Sequence, residues 1–136
     1  MTVMFDNNVI IDVITNRENS EASIELFKKA AVDDVNGLIC ANSLNDIFYV
    51  LAKILDPQKA KAAVAKIMQV LYVTPVDVEI CSKAINSSMH DFEDAIIAFS
   101  ASEYDADYIA TNDRKFISSD CPVTAAIPAQ ILETLK

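Results

Sequence analysis

Short unbroken apolar runs alternate along the whole chain with longer stretches in which apolar residues recur every three or four positions. Thr2 to Phe5 is the first such run and reads as a strand, and Asp6-Asn7-Asn8 stops it before Val9, Ile10, Val13 and Ile14 begin a helical stripe. Ser20 is placed to cap a second helix, with Ile24, Phe27 and Ala31 on one face, ending near the single glycine, Gly37. Leu38-Ile39-Cys40-Ala41 reads as a second buried strand. Ser43 and Asp46 have capping-box spacing ahead of Ile47, Val50, Leu51 and Ile54, which puts Asp46 in the first turn of a third helix. Asp56-Pro57 supplies an N-cap and a first-turn proline to an Ala/Lys helix packed through Ala60, Val64, Ile67, Met68 and Leu71, with Lys59, Lys61 and Lys66 facing solvent.

The same grammar continues to the last residue. Tyr72-Val73-Thr74 is a third strand closed by Pro75, and Asp77 opens a helix whose inner face includes Cys81, Ala84 and Ile85. Asp91 and Asp94 repeat the capping spacing ahead of Ala95, Ala98, Phe99 and Ser102. Tyr108-Ile109-Ala110-Thr111 is a fourth strand, 122–124 a weaker fifth, and Pro128 starts a closing helix through Ile131, Leu132 and Leu135. Strands that are continuously apolar are buried on both faces, so the alternation predicts an α/β fold: a three-layer α/β/α sandwich around a mostly parallel sheet of four to five strands. No linker or internal repeat interrupts residues 1–136, so one domain is expected.

Composition adds constraints. A hydrophobic fraction of 52% with no low-complexity tract excludes a disordered chain, and the longest apolar runs are too short to span a bilayer. The first residues carry no basic segment or cleavage site, so the cytoplasm is the expected compartment. Three cysteines, Cys40, Cys81 and Cys121, lie far apart in apolar surroundings and read as buried, reduced thiols. The formal charge of −9 runs against charge-driven binding of nucleic acid. The conflict shrinks if several acids are gathered around divalent cations that phosphate can approach.

In a parallel sheet, ligands bind beyond the carboxyl ends of the strands, where strand order reverses. Asp6 follows the first strand, Asp46 lies after the second, Asp94 opens a helix, and Asp113 follows the fourth strand. Ionised carboxylates gathered together raise one another's pKa unless a cation relieves them, and oxygen-only ligands suit Mg²⁺ or Mn²⁺. One histidine, His90, and scattered cysteines provide neither a zinc site nor a nucleophile–histidine pair. Each acid also has an ordinary reading. Asp46, Asp91 and Asp94 can serve as helix-start acids, Asp6 and Asp113 as turn residues, and Asp12 and Asn16 as exposed surface. The aromatics Phe48, Tyr49 and Phe92 are expected in the core.

Asp6-Asn7-Asn8, Ser43-Leu44-Asn45-Asp46-Ile47, Asp91-Phe92-Glu93-Asp94-Ala95 and Thr111-Asn112-Asp113-Arg114-Lys115-Phe116, in this order on these elements, resemble the PIN-domain nucleases, which include the VapC-type toxins. The resemblance covers nearly the whole chain. It implies that Asp6, Asp46, Asp94 and Asp113 hold one or two Mg²⁺ or Mn²⁺ ions, with Asp91 an accessory ligand or only a cap, that Asn8 orients Asp6 or a metal-bound water, and that Thr111 offers a hydroxyl near the metals. Asp46 stands where many members carry Glu, Asn7 where Thr is commoner, and Lys115 where an acid is frequent. The implied activity is endonucleolytic hydrolysis of RNA, with the ions polarising the phosphate, activating water and stabilising the departing 3′ oxygen. Arg17, Lys28, Lys29, Arg114 and Lys115 are candidate RNA contacts. A small antitoxin and a homodimer are the implied partners. Two alternatives stand beside this reading: a PIN-like binding module without turnover, and a haloacid-dehalogenase-like phosphohydrolase with Asp6 as nucleophile. Asn8 argues against the second, since that chemistry wants an acid two residues after its nucleophile.

Overall fold

The computed structural model describes residues 1–136 as β1 (Thr2–Phe5), α1 (Asn7–Thr15), α2 (Glu21–Ala31), β2 (Asn36–Cys40), α3 (Ala41–Ile54), α4 (Pro57–Val70), β3 (Tyr72–Thr74), α5 (Val78–Ile85), α6 (Phe92–Glu103), β4 (Tyr108–Ala110), α7 (Arg114–Ile117), β5 (Thr124–Ala126) and α8 (Pro128–Thr134). All five strands are parallel, in the order β3-β2-β1-β4-β5. The chain builds outward from β1 through β2 to β3, then returns to the other side of β1 with β4 and β5. Strand order therefore reverses between β1 and β4, and the crevice of such a sheet opens there.

Two hydrophobic cores lie on the two faces. Val3 and Phe5 of β1 pack with α1, α2, α3, α4 and α8 through Ile10, Leu26, Leu51 and Ile131, whereas Met4 points the other way, toward Ile80, Ile97 and Phe116 of α5, α6 and α7. This period-two split of a wholly buried strand explains why its sequence shows no polar alternation. The three-layer sandwich expected from the sequence is the one observed.

Several boundaries differ from the expectation. α3 starts at Ala41 with Cys40 at its N-cap, so Ser43 caps nothing; its buried hydroxyl has no partner, and Asp46 lies in the second turn. Ser20 stands at the N-cap of α2 but turns its hydroxyl to the Arg17 carbonyl. The fifth strand is two residues later than predicted, and the short α7 was not anticipated. Met68, Ile85, Val50, Ile54, Tyr49 and Phe92 are exposed, where apolar periodicity or aromatic character predicted burial. Cys40 is buried, whereas Cys81 and Cys121 are half-buried; all three are free thiols.

Gly37 closes no helix. It lies inside β2, where an added Cβ would stand 2.5 Å from Leu71 Cδ2 and 2.9 Å from Ala30 Cβ. The leucine tip can yield, but Ala30 is fixed by the α2 backbone. Gly37→Ala is expected to lose about 1–3 kcal/mol of stability through overpacking, more than the ~0.4–1 kcal/mol gained from a stiffer unfolded chain. Urea unfolding at equilibrium measures this, and an unchanged or raised midpoint would contradict the packing account.

Candidate active site

The carboxyl ends of β1 and β4 adjoin at the reversal point, and the polar residues there form one connected network. Asp6 caps α1 and is 5% exposed. Its Oδ1 accepts the Asn7 backbone N–H at 2.8 Å, and its Oδ2 accepts the Thr111 hydroxyl at 2.7 Å and the Asn8 amide at 3.0 Å. Thr111 in turn accepts the Asp113 N–H at 3.1 Å, and Asn8 Oδ1 accepts the Asn112 N–H at 3.1 Å. β1 and β4 are thus cross-tied by side chains just where their ladder ends. Asn8 and Thr111 both donate to Asp6 and so restrict its rotamer.

The other acids surround this anchor. Asp91 caps α6 and accepts the Asp94 N–H at 3.0 Å, and Asp113 caps α7 and accepts the Lys115 N–H at 2.9 Å. Three helices, α1, α6 and α7, therefore begin at acids of one cluster, and their N-terminal amides offset part of its negative charge. Asp91 caps as its ordinary reading expected, whereas Asp113, read as a turn residue, is a cap as well; both also act on Asp94, whose carboxyl is affected by Asp91, Asp6, Asp113 and Glu93 together.

A residue that motif spacing missed completes the set. Asn7 Nδ2 donates to Glu93 Oε1 at 2.9 Å and reaches Asp46 Oδ2 at 3.4 Å, so one amide links α3 to α6. Glu93 was legible only as a neighbour of Asp94, because helical spacing singles out Asp91 with Asp94. Asn7, at the position where Thr is commoner, makes the contact that a hydroxyl is too short to make. Its Oδ1 is buried without a partner.

No Lys or Arg forms an ion pair with Asp6, Asp46, Asp91, Glu93, Asp94 or Asp113; every ion pair in the molecule involves Asp12, Glu79, Glu103 or Glu133. Burial, and then the nearby carboxylates, push Asp94 up to about 7. Partial desolvation, followed by the adjoining carboxyl of Asp46 and the charges of Asp91 and Asp6, raises Glu93 to about 7. Burial raises Asp6 against the pull of its hydrogen bonds, and Asp113 adds to the rise. As they stand, no three acids close on one cation-sized point. A hard divalent ion fits this donor set, which is all oxygen and has no cationic side chain paired to it.

The candidate cations separate by topology. Lys28 and Lys29 lie in the last turn of α2, which feeds the start of β2 at the amino-terminal end of the strands, so the structure does not bring them to the acids. Arg17 is held by Asp12 at 3.5 Å, and Asp12, half-buried rather than free surface, also accepts the Asn112 amide at 3.1 Å. Arg114 is exposed on α7, and Lys115 alone of the five lines a cleft with Asp91, Asp94 and Asp113.

The profile of the PIN domain matches residues 2–115. The chain belongs to the PIN-domain family. Ribonuclease VapC1 of Aquifex aeolicus (strain VF5) is 27% identical over 127 residues, which is 89% of this chain and 88% of that protein. Among solved structures, Mycobacterium tuberculosis VapC20, a sarcin-ricin loop cleaving toxin, superposes with a TM-score of 0.70 at 12% identity, over 88% of this chain and 95% of that one. DNA-bound VapBC from Salmonella typhimurium gives 0.71 at 20% identity, over 94% and 98%. At these identities the superpositions establish the shared PIN fold.

An acid whose pKa is higher folded than unfolded retains its proton on folding. Between the ordinary values of 3.8 and 4.5 and the folded values of about 7, the folded chain binds more protons, so stability falls as pH rises through that window. In chelator, thermal melts are expected to be lower at pH 8 than at pH 5, and Asp94→Asn should flatten this slope and raise the pH 8 melt by a few degrees. A slope of the other sign, or one that Asp94→Asn leaves intact, would contradict the assignment.

Proposed function

We propose that this PIN-domain protein is a metal-dependent endoribonuclease of the VapC kind, with Asp6, Asp46, Asp94 and Asp113 as the principal ligands of one or two Mg²⁺ or Mn²⁺ ions. The observation that carries the proposal is the electrostatic coupling of Asp6, Asp94 and Asp113 near the reversal point of the sheet, with Asp46 joined through Asn7 and Glu93 and no ion pair to any of the four. The name of the Aquifex relative and the toxin role of VapC20 support RNA as substrate. The VapBC structures support a small antitoxin partner and an assembly of more than one chain, and a homodimer is the form proposed. No helix is long and apolar enough to cross a membrane.

A bound dication would polarise the scissile phosphate and activate water. The chain's own residues prepare its seat. Asp6 is held rigid by three donors, so its position costs nothing to fix when the ion arrives. Asp94 and Glu93 release protons as cation charge replaces them. Asp46 has a shorter arm than Glu, and Asn7 places Glu93 beside it. Thr111 joins Asp6 to the backbone of Asp113, so the first and fourth acids move as one unit. Both oxygens of Asp6 are engaged by donors, which disfavours its use as a nucleophile toward phosphate.

Cleavage of an RNA panel that includes a sarcin-ricin loop hairpin is expected with Mg²⁺ or Mn²⁺ and to stop on chelation. Asp6→Asn and Asp94→Asn should each lower kcat/KM on the order of 10²–10³-fold, the cost of removing a preorganised charge-stabilising group. Thr111→Val and Asn8→Ala should lose about 10–100-fold, as for residues that orient metal ligands. Metal binding without cleavage of any RNA would favour the binding-module reading, and chelator-resistant cleavage would overturn the metal-dependent one.

A further inference from the structure

The cleft lined by Asp91, Asp94 and Asp113 is also lined by Lys115, His90, Ser118 and Ser119, with Met89 its one hydrophobic residue. We propose that this cleft holds a ribonucleotide subsite, in which Lys115 takes a phosphate next to the scissile one and the serine hydroxyls recognise the ribose 2′-hydroxyl. It rests on the nuclease reading, because Asp94 and Asp113 line the same cleft and fix where the reacting phosphate sits.

Size sets the first limit. The cleft holds about 330 Å³, at the lower end of the ~300–1,000 Å³ typical of small-molecule pockets. That suits one nucleotide of an extended strand and excludes a duplex. Charge sets the second. Lys115 is exposed, and although three acids share its cleft it forms no ion pair with any of them. In a chain of formal charge −9, a free ammonium beside the acids is where a phosphate gains most.

Hydrogen-bond polarity decides the rest. Ser118 donates to the Lys115 carbonyl at 3.3 Å and Ser119 to the Phe116 carbonyl at 2.6 Å, so each hydroxyl spends its proton on α7 and leaves lone pairs free to accept. A 2′-hydroxyl is a donor that DNA lacks, and it is what lets a protein tell the two nucleic acids apart. No Phe, Tyr or Trp lines the cleft, so the only ring there for a base to stack on is the His90 imidazole. With one imidazole and no larger ring beside the base, selection acts on sugar and phosphate more than on base identity.

The test is an NMR titration of the full chain with Mg²⁺ present, using 5′-AMP, 3′-AMP and 5′-dAMP as probes. The amides of His90, Lys115, Ser118 and Ser119 are expected to shift, with dAMP binding several-fold more weakly than AMP. The stronger of 5′-AMP and 3′-AMP tells on which side of the cut the subsite lies. Lys115→Ala should weaken AMP and dAMP alike by about 10-fold, the loss of one charge-assisted phosphate contact. Ser119→Ala should erase the ribose preference, and Ser119→Thr should restore it, which a merely structural hydroxyl would not do. In cleavage assays Lys115→Ala should raise KM while kcat changes little. Equal affinity for AMP and dAMP, shifts confined to other surfaces, or an unaltered KM in Lys115→Ala would overturn the subsite. If the titration behaves as stated while no RNA is cut, the subsite stands and the nuclease reading falls. Cleavage with a silent titration gives the reverse.

Discussion

Carboxylate repulsion at the reversal point of the sheet is the constraint around which this molecule is organised. Six acids from β1, α3, α6 and the β4–α7 turn share a small volume, and no lysine or arginine neutralises any of them. The fold answers with weaker devices: the N-terminal amides of α1, α6 and α7, the Thr111 hydroxyl, and the side-chain amides of Asn7 and Asn8. These donors suffice to hold the acids in place but leave Asp94 and Glu93 protonated up to about neutrality. A cluster so arranged is strained as a structural feature and well suited as a ligand set, because a dication replaces protons the site is already poised to lose.

The rest of the architecture keeps that cluster from relaxing. Asp6 directly follows β1, the central strand, whose Val3, Met4 and Phe5 are completely buried between the two cores. A carboxylate on such a strand cannot move away from its neighbours without disturbing both faces of the sheet. Close packing at Gly37 holds the neighbouring β2 against α2, and β2 leads directly into α3, which carries Asp46. Rigidity in the core is thus what converts repulsion into a preorganised site.

Much of this was legible before any coordinate. Unbroken apolar runs such as Val3-Met4-Phe5 and Leu38-Ile39-Cys40 announce strands buried on both faces, and a parallel sheet then tells which ends of the strands matter. Asp6 and Asp113 are singled out as candidates by that rule, and Asp56, Asp77 and Asp91 are read correctly as caps because their side chains act locally. Failures came where distant contacts outweigh local chemistry. Ser43 has the spacing of a cap, yet α3 begins two residues earlier, directly on leaving β2, and buries it. The parallel topology sends the end of α2, with Lys28 and Lys29, to the end of the sheet away from the acids, which no local pattern announces. Glu93 and Asn7 were passed over because their link joins residues 86 positions apart, and no periodicity encodes that.

The acidic surface also takes on a different meaning. A chain of net charge −9 is poorly suited to hold a polyanion until metal is bound, so RNA affinity and metal loading are coupled in this account. The most direct test is calorimetric titration of Mn²⁺ into the metal-free protein near pH 7, repeated in buffers of different ionisation enthalpy to count protons released. The account predicts release of about one proton or more on binding, falling in the double variant Asp94→Asn, Glu93→Gln. Tight binding with no proton release, or binding that survives loss of both Asp6 and Asp94, would contradict it.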